Sequence, residues 1–263
     1  MKVRKEMLLA RNWLVAGVII CLMAISANAA DQPPKIDPRA DELLKRFSDY
    51  LADAKFFSVT AEIWQDTTLP SGQQVQAGRS VDIQLRRPNR LHTEVKSTRH
   101  SRGLWYDGKN FTLLDRAQNL YGTTRAPGSL DETLDFATDH LGMVLPLEDL
   151  LVSNPYKEAT KKVTAGTYIG PVKVLGVPCQ HLAFTQSDID WQIWIEDGPM
   201  PVPRKLVITY KDEAGTPQFT AVLSKWDFAT KLPDFVFHFE PPDGASKIPV
   251  QDVQSGLHKE KKP

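Results

Sequence analysis

From Phe57 to near residue 226 the chain repeats one pattern: short runs in which apolar and polar side chains alternate. Val59, Ala61 and Ile63 alternate with Thr60, Glu62 and Trp64, and Val81, Ile83 and Leu85 with Asp82, Gln84 and Arg86. A period of two sends successive side chains to opposite faces of a strand, so these runs predict sheet with one apolar and one polar face. Pro70, Ser71 and Gly72 form a turn cluster between the first two runs, and Pro88 with Asn89 precedes a third at 91–96. Asp107 and Gly108, between 104–106 and 111–114, predict a tight hairpin with positive φ at both central residues. Strand signals resume near Val163 and continue at 172–175, 180–184, 190–196, 205–211, 219–226 and 235–239, with loops at 197–203 and 212–216. This amounts to about eleven strands. A sheet of that size must curl, split or close to protect its edges and its apolar face.

Helices are few. Asp37 is placed to cap a helix opening at Pro38, where Ala40, Leu43, Leu44, Phe47, Tyr50 and Leu51 recur at three and four. A second helical segment interrupts the strands at 127–152. Ser129 with Glu132 makes a capping box, Leu130, Leu134 and Leu141 mark an apolar stripe, and Gly142 is placed to end the helix. A helical turn opening at Pro146 carries Leu147, Leu150 and Leu151. The expected fold is mainly β (α+β): a curved antiparallel sheet of about eleven strands forming a half-barrel over two or three helices.

The first 29 residues read as a cleaved secretory signal. Lys2, Arg4, Lys5 and Arg11 are basic, residues 13–25 are apolar, and Ala27, Asn28 and Ala29 supply a small-x-small cleavage site. The apolar run is shorter than the roughly twenty residues that span a bilayer, so a periplasmic, not membrane-spanning protein is expected. Residues 30–37 read as a flexible leader, 38–250 as one β domain carrying the 127–152 insertion, and 251–263 as a disordered tail. Of 32 basic and 32 acidic residues, four and one fall in the signal, leaving 28 against 31. That slight acidity argues against nucleic-acid binding. Cys21 falls within the signal, and Val18, Ile19 and Ile20 before it do not make a lipoprotein cleavage site. Cys179 then has no disulfide partner.

Several stretches carry a resemblance to known families. RRPNRLHTEV, WYDGKNFTLLD and FHFEPPDGASKI resemble the outer-membrane lipoprotein-carrier superfamily. GVPCQHLAF, IDWQIWIEDG, PRKLVITYKD and PQFTAVLSKWDF resemble a family of predicted bacterial periplasmic proteins known as a domain of unknown function. The resemblance implies a curved antiparallel sheet wrapped over helices, with a hydrophobic cavity for acyl chains or similar ligands. Members of the superfamily include carriers, a lipid-anchored acceptor and an envelope stress sensor.

The ligand-lining candidates are the apolar residues that would share a face: Val59, Ile63, Val81, Ile83, Leu85, Val95, Tyr106, Trp191, Ile193, Ile195, Leu206 and Ile208, with Ala61, Leu91 and Tyr210 beside them. The competing reading is a filled core, which one-sided alternation also predicts. Trp64, Trp105 and Trp194 fall mostly on the other parity, as a partner surface or as cross-strand packing. Cys179 and His181, two apart in a strand, form the one thiol–imidazole pair. Asp131, Asp135 and Asp139 line one helix face beside His140, and His92, His100 and Asp115 come from separate strands. No zinc spacing, phosphate loop or nucleophile elbow is present. The expected function is non-enzymatic, without cofactor, metal or catalytic residue: binding of a hydrophobic small molecule, lipid or lipoprotein in the concavity. The alternative is an envelope sensor or interaction module whose partner is another envelope protein. An enzyme built on Cys179 and His181 is the third reading.

Overall fold

The computed structural model describes residues 35–98, 100–143 and 145–251. The signal at 1–29, most of the leader and nearly all of the tail lie outside them.

Helix α1 (Pro38–Asp53) begins where expected: the Asp37 carboxylate accepts from the Arg39 amide at 2.7 Å, and Pro38 occupies the first turn. Six antiparallel strands follow: β1 (Phe56–Thr68), β2 (Gln74–Arg86), β3 (Arg90–Ser97), β4 (Ser101–Tyr106), β5 (Asn110–Asp115) and β6 (Leu120–Arg125). After the helical segment come β7 (Ala165–Val174), β8 (Val177–Thr185), β9 (Ile189–Glu196), β10 (Pro203–Tyr210) and β11 (Gln218–Asp227), and near the end of the described chain β12 (Ser246–Lys247). The order across the sheet is β12-β6-β5-β4-β3-β2-β1-β11-β10-β9-β8-β7. The long β1 thus joins two meanders at the centre of one curved, open sheet.

The half-barrel expectation holds in outline, with local differences. Residues 120–125 pair as a strand, though their Gly, Thr and Arg content does not alternate. The segment expected as a strand at 235–239 instead forms a 3-10 turn, Asp234–Phe237, set between Pro233 and two later prolines that cannot join a ladder. The insertion is longer than 127–152: after α2 (Leu130–Asp139) and a 3-10 turn at Glu148–Leu150 comes α3 (Pro155–Thr160), capped by the Asn154 side chain. In the 107–108 turn only Gly108 has positive φ, 86°. Asp107 acts through its carboxylate, which accepts from the Lys109 and Asn110 amides at 2.9 and 2.7 Å.

Each edge is capped over a short stretch. Lys35 and Asp37 bond to Gly166 of β7, where Ile36 forms a bridge, and β12 runs parallel to β6. Gly122 on β6 is required by close backbone approach, since a Cβ there would lie 2.5 Å from Cα of Val250. Leu43, Leu44, Phe47 and Leu51 of α1 and Leu130, Leu134, Leu141 and Leu151 of the insertion share one core with the apolar face of the sheet.

Candidate functional site

Register sorts the apolar face into rows that cross the strands. At one end Phe57, Leu85, Leu91, Tyr106 and Phe111 stand side by side from β1 to β5, each at most 1% exposed. Val59, Ile83, Thr93, Leu104 and Leu113 form the next row, and Ala61, Val81, Val95 and Leu223 the one after. Then come Arg79, Ile63, Ala221, Leu206, Ile193 and Leu182, followed by Gln65, Phe219, Ile208, Trp191 and Phe184, and finally Tyr210 with Ile189. Burial is complete in the first row and incomplete in the last. Val95, Leu206, Ile208, Ile189, Tyr210 and Arg79 are only half-buried. The apolar face is therefore closed at its Phe57 end and part-open at its Tyr210 end.

All twelve candidate liners lie on this face, at different depths. Leu85 and Tyr106 are at the closed end, Val59, Val81, Ile83, Ile63, Trp191, Ile193 and Ile195 are buried, and Val95, Leu206 and Ile208 are half-buried. Tyr106 does more than line: its hydroxyl donates to the Pro127 carbonyl at 2.7 Å and ties the insertion to the sheet. Burial pushes its phenol up.

Sequence reasoning assigned no role to Arg79. Its parity was legible, two residues before Val81, but a basic residue at a strand end reads as solvent-facing. In the fold it points to the apolar side, opposite Ile63 and Ser97, and its Nε is buried without a hydrogen-bond partner. Burial pushes the guanidinium down, and the phenol of Tyr210 partly offsets that.

A family model described as predicted periplasmic protein (DUF2092) matches residues 40–251, most of the chain. The chain belongs to that family. The match begins within α1 and runs through β12, so the family and the folded domain coincide. No match was found among curated proteins. Solved structures similar to this family member include Mycobacterium tuberculosis lipoprotein LppX, at 12% identity and TM-score 0.46, covering 75% of this chain and 100% of that one. LprF from Mycobacterium bovis has 12% identity and TM-score 0.39 over 75% and 97% of the two chains. The Pseudomonas aeruginosa MucA/MucB complex gives 13% identity and TM-score 0.34 over 75% and 60%.

The opposite, outer face of this family member is polar and knit together. His92 stacks on Trp105 with ring centres 4.7 Å apart, Arg116 lies over the same ring, and Phe239 packs beside it. His181 stacks on Trp194 at 4.1 Å, with the Lys205 ammonium 4.7 Å from that ring. Trp105 and Trp194 are thus covered by their neighbours, and Trp64 at 37% exposure is the one open tryptophan of the three. A depression of about 390 Å³ is lined by Ser58, Val59, Thr60, Asp82, Ile83, Gln84, Glu94 and Lys225, beside a β-bulge where Lys225 has φ 53°.

The remaining candidates resolve into structural roles. Cys179 is 1% exposed, its thiol donates to the Val177 carbonyl at 3.4 Å, and burial pushes its pKa up, the opposite of an activated nucleophile. His181 bonds to Gln192 at 3.0 Å. Asp131 accepts from the Ser153 amide, while Asp135, Asp139 and His140 are exposed. His92 and Asp115 lie on opposite faces, so these do not meet: His92 contacts Gln84 and Glu94, and Asp115 pairs with Arg102.

Proposed function

We propose that this is a periplasmic, non-enzymatic binding protein that holds an apolar ligand, a lipid acyl chain or the acyl portion of a lipoprotein, on the apolar face of its curved sheet. The signal at 1–29 directs export and is removed after Ala29. The observation that carries the reading is the contrast along that face, from the fully buried row at Phe57 to the half-buried Leu206, Ile208 and Tyr210. Each methylene drawn from water into such a surface contributes about 0.8 kcal/mol, so a chain of ordinary length is held with few polar contacts. Solvent extraction of protein purified from envelope, followed by mass spectrometry, should recover a hydrophobic molecule in near-stoichiometric amount. Ile208→Glu, placed at the opening, should abolish that recovery without unfolding the protein. Retention unchanged by Ile208→Glu would remove the concave face as the site.

A second reading has its own observation. Ile169, Val172 and Leu175 stand 55%, 43% and 83% exposed along edge strand β7, an apolar strip suited to an envelope protein partner. Trp64 adds an exposed ring on the outer face. Recovery of a periplasmic protein that is lost with Leu175→Asp, and kept with Ile208→Glu, would support an interaction or sensor module without lipid cargo.

A further inference from the structure

The open end of the apolar face carries polar atoms that the fold leaves unused. Among the described residues the Arg79 side chain has no hydrogen-bond or ion-pair partner, although its Nε is buried and Ile63 and Val81 stand beside it. Leaving a cation partly desolvated and without a counter-charge is unfavourable, and an occupant that supplies an acceptor removes that cost. Tyr210, two residues beyond Ile208 on β10, lies close enough that the guanidinium lowers its phenol pKa; burial and nearby Glu213 act in the opposite sense and leave it raised. One strand further, the indole Nε1 of Trp191 is also buried without a partner, its ring held on Phe184 at 4.2 Å. Among the described residues, the two buried, unpartnered strand atoms on this face, Arg79 Nε and Trp191 Nε1, are donor-only groups.

The geometry points to a head-group site: Arg79 takes the oxyanion of an amphiphile, a carboxylate or a phosphate, whose hydrocarbon lies along Ile63, Leu206 and Ile208. This rests on the proposed function and specifies it, excluding fully neutral cargo as the preferred ligand. A guanidinium matches two oxygens of a carboxylate or phosphate in a fork, and the aliphatic surroundings strengthen that pairing. The Trp191 indole remains available to a second acceptor, such as an ester oxygen next to the head.

The test compares cis-parinaric acid with its methyl ester on purified, delipidated protein, following probe fluorescence at low ionic strength. The acid should bind about tenfold more tightly than the ester, an advantage that added salt and Arg79→Gln both reduce to about twofold or less, with ester affinity unchanged. Arg79→Lys, which keeps the charge and loses the fork, should fall between. Replacing the acid with dodecyl phosphate separates the two head groups, and inorganic phosphate alone as competitor separates a lipid head from a free anion. Equal binding of acid and ester by the unmodified protein overturns the head-group site and leaves the apolar site standing; this comparison needs no variant to fold. Failure of both probes to bind overturns the proposed function itself. Removal of the acid's advantage by low concentrations of inorganic phosphate overturns the assignment to an amphiphile.

Discussion

The guanidinium of Arg87 donates to the Val152 carbonyl at 2.9 Å, and this bond joins the end of β2 to the helical insertion. The same group donates to Leu151 at 3.0 Å and reaches Leu51 at the end of α1 at 3.5 Å, so one side chain holds both helical covers against the sheet. Arg87→Ala should cost about 2–4 kcal/mol, because carbonyls that are now satisfied would lose a charged donor. Chemical denaturation reads the loss. Hydrogen exchange should show faster opening at 151–152 than in β1.

Tyr106 makes a second, weaker tether from β4 to the start of the insertion. Tyr106→Phe keeps the packing and removes the bonds to Pro127 and Ser129, for a loss of about 1 kcal/mol. A thermal unfolding midpoint lower by a few degrees, with unchanged far-UV circular dichroism, is the expected result.

Glu148 sits where three parts of the insertion bring carboxylates together. Burial first, then the charges of Asp149, Asp135 and Glu158, push its pKa up to about 7, and one of its oxygens is buried without a donor. Because the folded state binds this proton more tightly than the unfolded chain, the contribution is fully present below about pH 4.5 and is lost as pH rises through about 7. With nearly half the carboxyl open to solvent, screening leaves about 1 kcal/mol. Glu148→Gln should therefore stabilise the protein at pH 8 and flatten the stability profile between pH 5 and 8 by about that amount. A mutant profile parallel to the wild type in denaturant titrations would count against this.

Acid should act through other groups. For Glu94, burial alone would raise the pKa, but the bonds from His92 and Arg116 outweigh it and hold the carboxyl down. That stability is present above the unfolded value and lost as pH falls. Glu94→Gln should lower stability at pH 7 and reduce the acid sensitivity below about pH 4.5, measured by urea midpoints across pH.

Cys179 should be inert in the folded protein. Buried and with a raised pKa, it should react with a maleimide only under unfolding conditions, and Cys179→Ala should leave ligand binding unchanged. Rapid labelling of native protein near neutral pH would revive the thiol chemistry set aside above.

Residue patterns alone determined the local structure and the sidedness of this protein. Asp37–Pro38 and Ser129–Glu132 mark helix starts through chemistry contained within four residues, and the alternation at Val59, Val81 and Ile193 assigns faces because a strand has a period of two whatever its neighbours. The same local logic failed at 235–239, where apolar residues look like strand and the surrounding prolines prevent pairing. Tertiary structure decided the rest. Strand order and register are set by packing between residues far apart in the chain, and only they bring Arg79 of β2 and Tyr210 of β10 to one end of the apolar face. Whether a side chain on that face is buried or half-buried depends on which distant residues pack over it, a contact that no residue encodes by itself.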